Sequence, residues 1–297
     1  MFDPIRPPLA LESPTMAQAV LITGSSSGIG RATAERLAGR GFTVYATARK
    51  VASIADLEAR GCRVLALDVT DEDSMRGAVE TVIAEHGAVH ALVNNAGYSQ
   101  SGAIEEVPIA DVRRQFETNV FGLVRMCQLV LPSMRARRAG RIVNVSSMGA
   151  NFTFPGGGHY HATKYAVEAI SDALRFEVAG FGIAVVIVQP GLIRTGFADT
   201  AAEAIRETTP ADGHYAMFNA AIAGSTKSAY ERGPLARLGG GPGTVARTIE
   251  RAITARSPRI RYRVTLSARL LIGQRALLTD AMWDRFLATQ FPRPGDG

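Results

Sequence analysis

The sequence predicts a doubly wound α/β fold in which helices cover both faces of a parallel sheet. Three observations carry that expectation. Short, continuously apolar runs alternate with amphipathic stretches from Ala19 to about Pro190. Strands that lack polar alternation are those buried on both faces, and the helical stretches between them supply the covering layers. Apolar residues make up 46% of the 297 positions, enough to fill one large core. A glycine-rich turn, Thr23 to Gly30, directly follows the first apolar run, which is where such a fold presents a helix N-terminus to phosphate.

The expected strands are Ala19–Thr23, Thr43–Thr47, Arg63–Leu67, Ala91–Asn94, Arg141–Val145 and Ile183–Gln189, with Ile260–Val264 as a last addition. Ile29–Arg40, Asp71–His86, Val112–Arg138 and Tyr160–Phe181 carry apolar residues at helical spacing. Beyond Pro190 the pattern weakens. Gly239–Gly243 marks a loop, and Pro242 suits the first position of a helix running to Arg256. Residues 1–16 hold four prolines and no basic-then-apolar order, so they read as a flexible arm rather than a signal peptide. Residues 17–265 form the expected domain, including a substrate loop at about 196–235, and 266–297 form a helical tail. In that tail Leu270, Leu271, Ile272, Trp283 and Phe286 stand among arginines. An apolar helical stripe is expected to pack on protein, in the core or at a subunit contact; a peripheral membrane contact is the alternative not favoured.

Net charge is +6, and the excess is local: Arg232 to Gly297 holds twelve arginines against four acids. A solvated arginine-rich surface is expected there, with no nucleic-acid partner. Cys62 and Cys127 form no CxxC pair, which argues against a disulfide framework or a zinc site and fits a reducing, cytoplasmic setting. No metal site is expected. The apolar run Ile183–Val188 is far too short to span a bilayer.

In the turn, Gly24, Gly28 and Gly30 allow a tight bend and close approach of backbone to a pyrophosphate, with Ser25, Ser27 and Ile29 between them. The spacing is GxxxGxG rather than the GxGxxG dinucleotide fingerprint. An NAD enzyme places an acid about 20 residues beyond the loop, on the adenosine ribose. Here Arg49-Lys50 end the second strand and no acid appears until Asp56. A guanidinium there would clamp a 2′-phosphate, so NADP(H) is expected over NAD(H).

Tyr160 and Lys164 lie four residues apart and share one helix face. A phenol titrates near pH 10, and lowering it by about three units takes about 4 kcal/mol of preferential stabilisation. A neighbouring ammonium contributes to that. With Tyr160 and Lys164 come Thr23–Gly30, Asp68, Asn94-Asn95-Ala96-Gly97, Asn119, Ser146-Ser147, and Pro190-Gly191 with Thr195.

In these motifs, from Ala17 to Gly196, the chain resembles the short-chain dehydrogenase/reductase family. The resemblance implies a Rossmann-like fold with a parallel sheet of about seven strands, and hydride transfer between a nicotinamide and a carbonyl or alcohol. It implies that Tyr160 is the general acid in reduction and the base in oxidation. Lys164 would lower its pKa and bond the nicotinamide ribose. Ser147, thirteen residues before Tyr160, would bond the substrate oxygen, and Asn119 would hold a water that links Lys164 to solvent. Asp68 would bond adenine, Thr195 the carboxamide, and Ser27 with Arg49 the 2′-phosphate. Val69, Asn95, Ala96, Gly97, Pro190, Gly191 and Ile193 would complete the cofactor cradle, and Asn94 would support the sheet.

Asp68 read without the resemblance is simply a helix cap. His159, His161 and His214 match no catalytic position and read as pocket or surface residues. The branch resembled is the one acting on steroids and retinol-like alcohols. With Phe152, Phe154, Phe197, Tyr215, Met217 and Phe218 near the expected cleft, an apolar, steroid-, retinoid- or lipid-like small molecule is the expected substrate. A homodimer or homotetramer is expected through Val112–Arg138 and Tyr160–Phe181, which are apolar on more than one face. The rival readings are a sugar-nucleotide epimerase or dehydratase, which shares YxxxK, and a catalytically silent NADP-sensing or nucleic-acid-binding protein.

Overall fold

A computed structural model describes residues 18–208, 210, 213–231 and 234–294. The arm expected at 1–16 lies outside the described residues. Seven strands, β1 (Ala19–Ile22), β2 (Thr43–Ala48), β3 (Arg63–Ala66), β4 (Ala91–Asn94), β5 (Gly140–Val145), β6 (Ile183–Gln189) and β7 (Arg261–Arg263), form one sheet in the order β3-β2-β1-β4-β5-β6-β7. All pairings are parallel. The winding reverses between β1 and β4, and in open parallel sheets ligands bind in the crevice at the carboxyl side of that point.

The apolar strands are alternating after all, but with apolar residues on both sides. Leu21, Leu92, Ile142 and Val185 turn to one face. There they meet α2 (Glu72–His86), α4 (Gly122–Arg137) and α5 (Gly158–Ala179). Val20, Ile22, Val93, Val143 and Val186 turn to the other, against α1 (Gly28–Ala38) and α8 (Pro242–Thr254). A period of two with both faces buried leaves no polar positions to show it.

The helix expected at Val112–Arg138 comes in three parts: α3 (Ile109–Phe116), one π turn over Glu117–Phe121, and α4. A π turn shifts every following side chain around the axis and is frequent at functional sites. Asn119 sits inside it.

The segment expected as a loop at 196–235 is mainly helical, as α6 (Phe197–Thr208) and α7 (Ala216–Glu231). The tail forms α9 (Leu266–Leu277) and α10 (Asp280–Ala288). Thr265 and Thr279 cap them, accepting from the Ala268 and Met282 amides. Leu271, Ile272 and Trp283 of this pair join Met148, Phe152 and Leu192 in a third apolar cluster over the carboxyl ends of β5 and β6. The tail thus packs on protein beside the crevice. Cys62 and Cys127 are buried and unpaired with each other. Among the described residues no helix is long and apolar enough to cross a membrane, and no group of His, Cys, Asp or Glu is arranged to hold a metal.

Candidate active site

The loop from β1 into α1 is shaped by its glycines. Gly24 and Gly28 have φ of 71° and 56°, in the left-handed region that favours glycine. A Cβ at Gly30 would overlap the Gly24 carbonyl oxygen and come within 2.5 Å of Asn95 Nδ2. That amide nitrogen donates to Thr23 O at 3.0 Å and Gly24 O at 2.9 Å. In return Thr23 Oγ1 accepts from the Asn95 and Ala96 amides, each at 3.0 Å. The Asn95-Ala96-Gly97 run is therefore strapped to the loop across the switch between β1 and β4. Ser25 N donates to Thr47 O at 2.7 Å, which fixes the loop to β2.

Gly28, Ile29 and Gly30 begin α1, where the first-turn N–H groups have no intrahelical acceptor. The Ser27 hydroxyl caps nothing and is exposed. Arg49 lies exposed at the end of β2 and pairs with no carboxylate among the described residues. A cluster of open donors of this kind suits a nucleotide's phosphates.

The other expected cofactor residues divide. Asp68 is not the cap of α2; Asp71 is, accepting from Ser74 N. Asp68 instead uses Oδ1 to hold Thr70, from its amide at 2.9 Å and its hydroxyl at 2.7 Å. Thr195 lies across from Gly28, its Cγ2 3.4 Å from where a Cβ would stand. Pro190 O accepts from Met148 N at 2.8 Å and joins the ends of β5 and β6. A Cβ on Gly191 would overlap Thr265 Oγ1, so that glycine serves the packing of the α9 cap. Val69 and Ile193 are buried in the two main core clusters.

At the crevice floor, α5 carries Tyr160 and Lys164, the turn just beyond β5 carries Ser147, and the π turn brings Asn119. Lys164 is only 6% exposed; Nζ donates to Val145 O at 3.0 Å and stands 5.8 Å from the centre of the Tyr160 ring. Burial lowers its pKa to about 8, with the Glu168 carboxylate one turn further along α5 opposing the fall. Burial pushes the Tyr160 phenol up to about 12, partly offset by its hydrogen bond with Ser147. Ser147 Oγ also accepts from Gly149 N at 3.1 Å. The Asn119 side chain is held at three points. Nδ2 donates to Tyr98 O at 2.9 Å and Thr163 Oγ1 at 3.1 Å, and Oδ1 accepts from Tyr98 N at 3.1 Å. A Cβ at Gly97 would lie 2.9 Å from Asn119 Oδ1 and 3.7 Å from Lys164 Nζ. The structure brings Asn119, Ser147, Tyr160 and Lys164 to one place. Ser146 differs from Ser147: its amide donates to Val188 O, and its buried hydroxyl finds no partner among the described residues.

Residues 18–206 match the family model for short chain dehydrogenases. The chain belongs to the short-chain dehydrogenase/reductase family. It is an oxidoreductase of carbonyl and alcohol groups, in a family that works with a nicotinamide cofactor. A 3-ketodihydrosphingosine reductase of Bacteroides thetaiotaomicron is 46% identical over 182 residues, 61% of this chain and 66% of that one. An NADPH-dependent 3-dehydrocapnine reductase of Ornithobacterium rhinotracheale is 31% identical over 89% of this chain and 94% of its own length. The crystal structure of a short-chain dehydrogenase from Streptomyces avermitilis superposes with a TM-score of 0.76 at 34% identity, covering 92% of this chain and 96% of that one.

Two features of this dehydrogenase site escaped the motif reading. His161, next to Tyr160, is buried; Nδ1 lies 2.6 Å from Gly149 O, and Nε2 accepts from Phe154 N at 3.5 Å. It ties the turn after Ser147 to the aromatic wall of the crevice. Only the glycines at 149 and 157, which make room for its ring, hint at this in sequence. Tyr230 of α7 is the other. Phe197 lies between it and Tyr160, its ring centre 6.3 Å from that of Tyr230 and 5.3 Å from that of Tyr160, both tilted. Of the expected pocket residues, Met217 is exposed and the Tyr215 hydroxyl is taken by Glu105.

Proposed function

We propose that the protein reduces the ketone of a long-chain, lipid-like substrate with NADPH, and that Tyr160, Lys164, Ser147 and Asn119 carry the chemistry. The observation that carries this reading is the Tyr160–Lys164–Ser147 arrangement beneath an aromatic roof. Phe152 and Phe154 meet Trp283 at 5.6 and 6.0 Å, and Phe197 and Tyr230 close the side above Tyr160. Such walls offer an alkyl chain apolar contact.

The glycine loop, the first turn of α1, Ser27 and Arg49 fit a dinucleotide with a 2′-phosphate. When bound, NADPH supplies a hydride to the carbonyl carbon. Tyr160, protonated throughout the neutral range because burial raises its pKa, is ready to give its proton to the carbonyl oxygen. The Ser147 hydroxyl donates to the same oxygen as charge gathers on it. The Lys164 ammonium stabilises the phenolate left behind, and Asn119, pinned at three points, holds the route by which Tyr160 regains a proton through Lys164. Glu105 and Glu106 are engaged by Tyr215 and Asn219.

The keto compounds in the names of the two reductases above favour a 3-ketosphingoid over a sterol or a retinoid. NADPH oxidation across 3-ketodihydrosphingosine, a steroid ketone, retinal and a quinone tests this. Turnover of the long-chain ketone with the highest kcat/KM is expected. A higher kcat/KM for the steroid, retinal or quinone would overturn it.

A further inference from the structure

A groove of about 950 Å³ opens along the β7 edge of the sheet, between α8, β7 and the start of α9. Seven arginines line it against one acid, Glu250. Two of the arginines are committed: Arg36 to Glu250, and Arg261 to Glu168 and Asp172. The other five, Arg247, Arg251, Arg259, Arg263 and Arg269, pair with no carboxylate among the described residues. Arg247 reaches only Thr244 Oγ1 at 3.2 Å, and Arg269 only the Arg263 carbonyl at 3.4 Å. Charged side chains on a short edge strand discourage strand addition. That accounts for Arg261 and Arg263 on β7, but not for Arg247 and Arg251 on α8 or Arg269 on α9.

The second observation is α9 itself. Its inner side, Ala268, Leu271 and Ile272, belongs to the cluster under the aromatic roof. Its outer side carries Leu266, Leu270 and Leu277, which are 51%, 51% and 86% exposed. At 3.6 residues per turn these three share one stripe. Arg269 lies between two of them and also lines the groove, so the leucine stripe and the arginines are continuous.

We infer that this face docks on an anionic lipid surface, with the leucines of α9 in the headgroup boundary and the unpaired arginines on lipid phosphates. A helix with an apolar face among arginines binds interfaces through both terms together. A second copy of the chain is the wrong occupant, because a twofold contact would set arginines against arginines. Nucleic acid would satisfy the guanidinium groups but leave the leucines in water. Docking here would set the far side of the same helix, which helps roof the crevice, close to the membrane. The inference stands apart from the proposed substrate, since it is read by binding and not by turnover.

The test is co-sedimentation of the full chain with vesicles of phosphatidylcholine alone or mixed with phosphatidylglycerol. Binding is expected to the mixed vesicles only, and to weaken as salt is raised. Replacing Arg247, Arg263 and Arg269 together by Gln should lower partitioning on the order of a hundredfold (about 1 kcal/mol for each basic residue at an anionic surface). Leu266→Ser with Leu270→Ser and Leu277→Ser should lower it about tenfold or more. NADPH binding, read by nucleotide fluorescence, should be unchanged in both variants and shows that they are folded. No binding to the mixed vesicles at low salt would overturn the inference. So would leucine variants that bind as wild type, because the groove would then be a site for a soluble anion. Equal affinity for a DNA duplex, unaffected by the leucine changes, would point to nucleic acid instead.

Discussion

Replacing Lys164 by Met separates what this lysine does for the reaction from what it does for the fold. Its Nζ stands 5.8 Å from the centre of the Tyr160 ring. At an effective dielectric constant of about 20, unit charges at that separation attract by about 3 kcal/mol, or roughly a hundredfold in rate if the phenolate is fully formed in the transition state. Lys164→Met should therefore lower kcat/KM for ketone reduction about a hundredfold. The ammonium is lost as pH rises through about 8, so the wild-type rate should decline above that point and the variant should lack this limb.

Stability should move the other way. The pKa falls from 10.5 to about 8 on folding, so between those values the unfolded chain binds more protons and wild-type stability rises with pH. Below about pH 8 the buried lysine costs about 3 kcal/mol, less about 1 kcal/mol that Met forfeits at the Val145 carbonyl. Denaturation in urea without cofactor should show the variant about 2 kcal/mol more stable at pH 7, with the gap closing towards pH 10. Activity within tenfold of wild type, or a variant less stable at pH 7, would refute the reasoning.

Three further expectations follow from the same geometry. Arg49→Asp should cost NADPH affinity about 1.5–3 kcal/mol, the range for a hydrogen bond to a charged group, and shift preference towards NADH; fluorescence titration with both nucleotides checks this, and equal affinities in the wild type would contradict it. Gly30→Ala forces a methyl onto the Gly24 carbonyl and the Asn95 amide. It should cost about 3 kcal/mol of stability by urea denaturation and most of the nucleotide affinity; a variant of wild-type stability would contradict it. Phe176 on α5 is 89% exposed. Phe176→Glu should dissociate an oligomer built on α4 and α5, seen as a smaller particle by light scattering; a wild type already monomeric at every concentration would remove the expectation.

The sheet was legible because most of its strands are short, mainly apolar runs set between amphipathic stretches, such as Ala19–Ile22 and Ile183–Gln189, the latter stopped by Pro190. The catalytic residues were legible for a different reason. Tyr160 and Lys164 lie one turn apart on a single helix, so local spacing already states their geometry. Asn119 was found by its motif, but the π turn that aims it was not, because the residues of Glu117–Phe121 suit an α-helix equally well. The helices at 197–208 and 216–231 were hidden by alanine, threonine and glycine, which blur the apolar stripe. Least legible were features assembled from distant segments. The tail reaches Met148 and Phe152, and the arginine groove joins α1 to α8 and α9. No local pattern records a contact made across more than a hundred residues.

The central claim is that Tyr160 supplies the proton in NADPH-dependent ketone reduction. Tyr160→Phe removes the hydroxyl and leaves the ring that packs on Phe197. The decisive measurement is the NADPH-oxidation rate of this variant with 3-ketodihydrosphingosine, set beside its NADPH affinity by fluorescence titration. Turnover should fall by a thousandfold or more, within the upper part of the range of about 10²–10⁴ for general acid catalysis, while NADPH binds as in the wild type. Turnover within tenfold of wild type would contradict the claim.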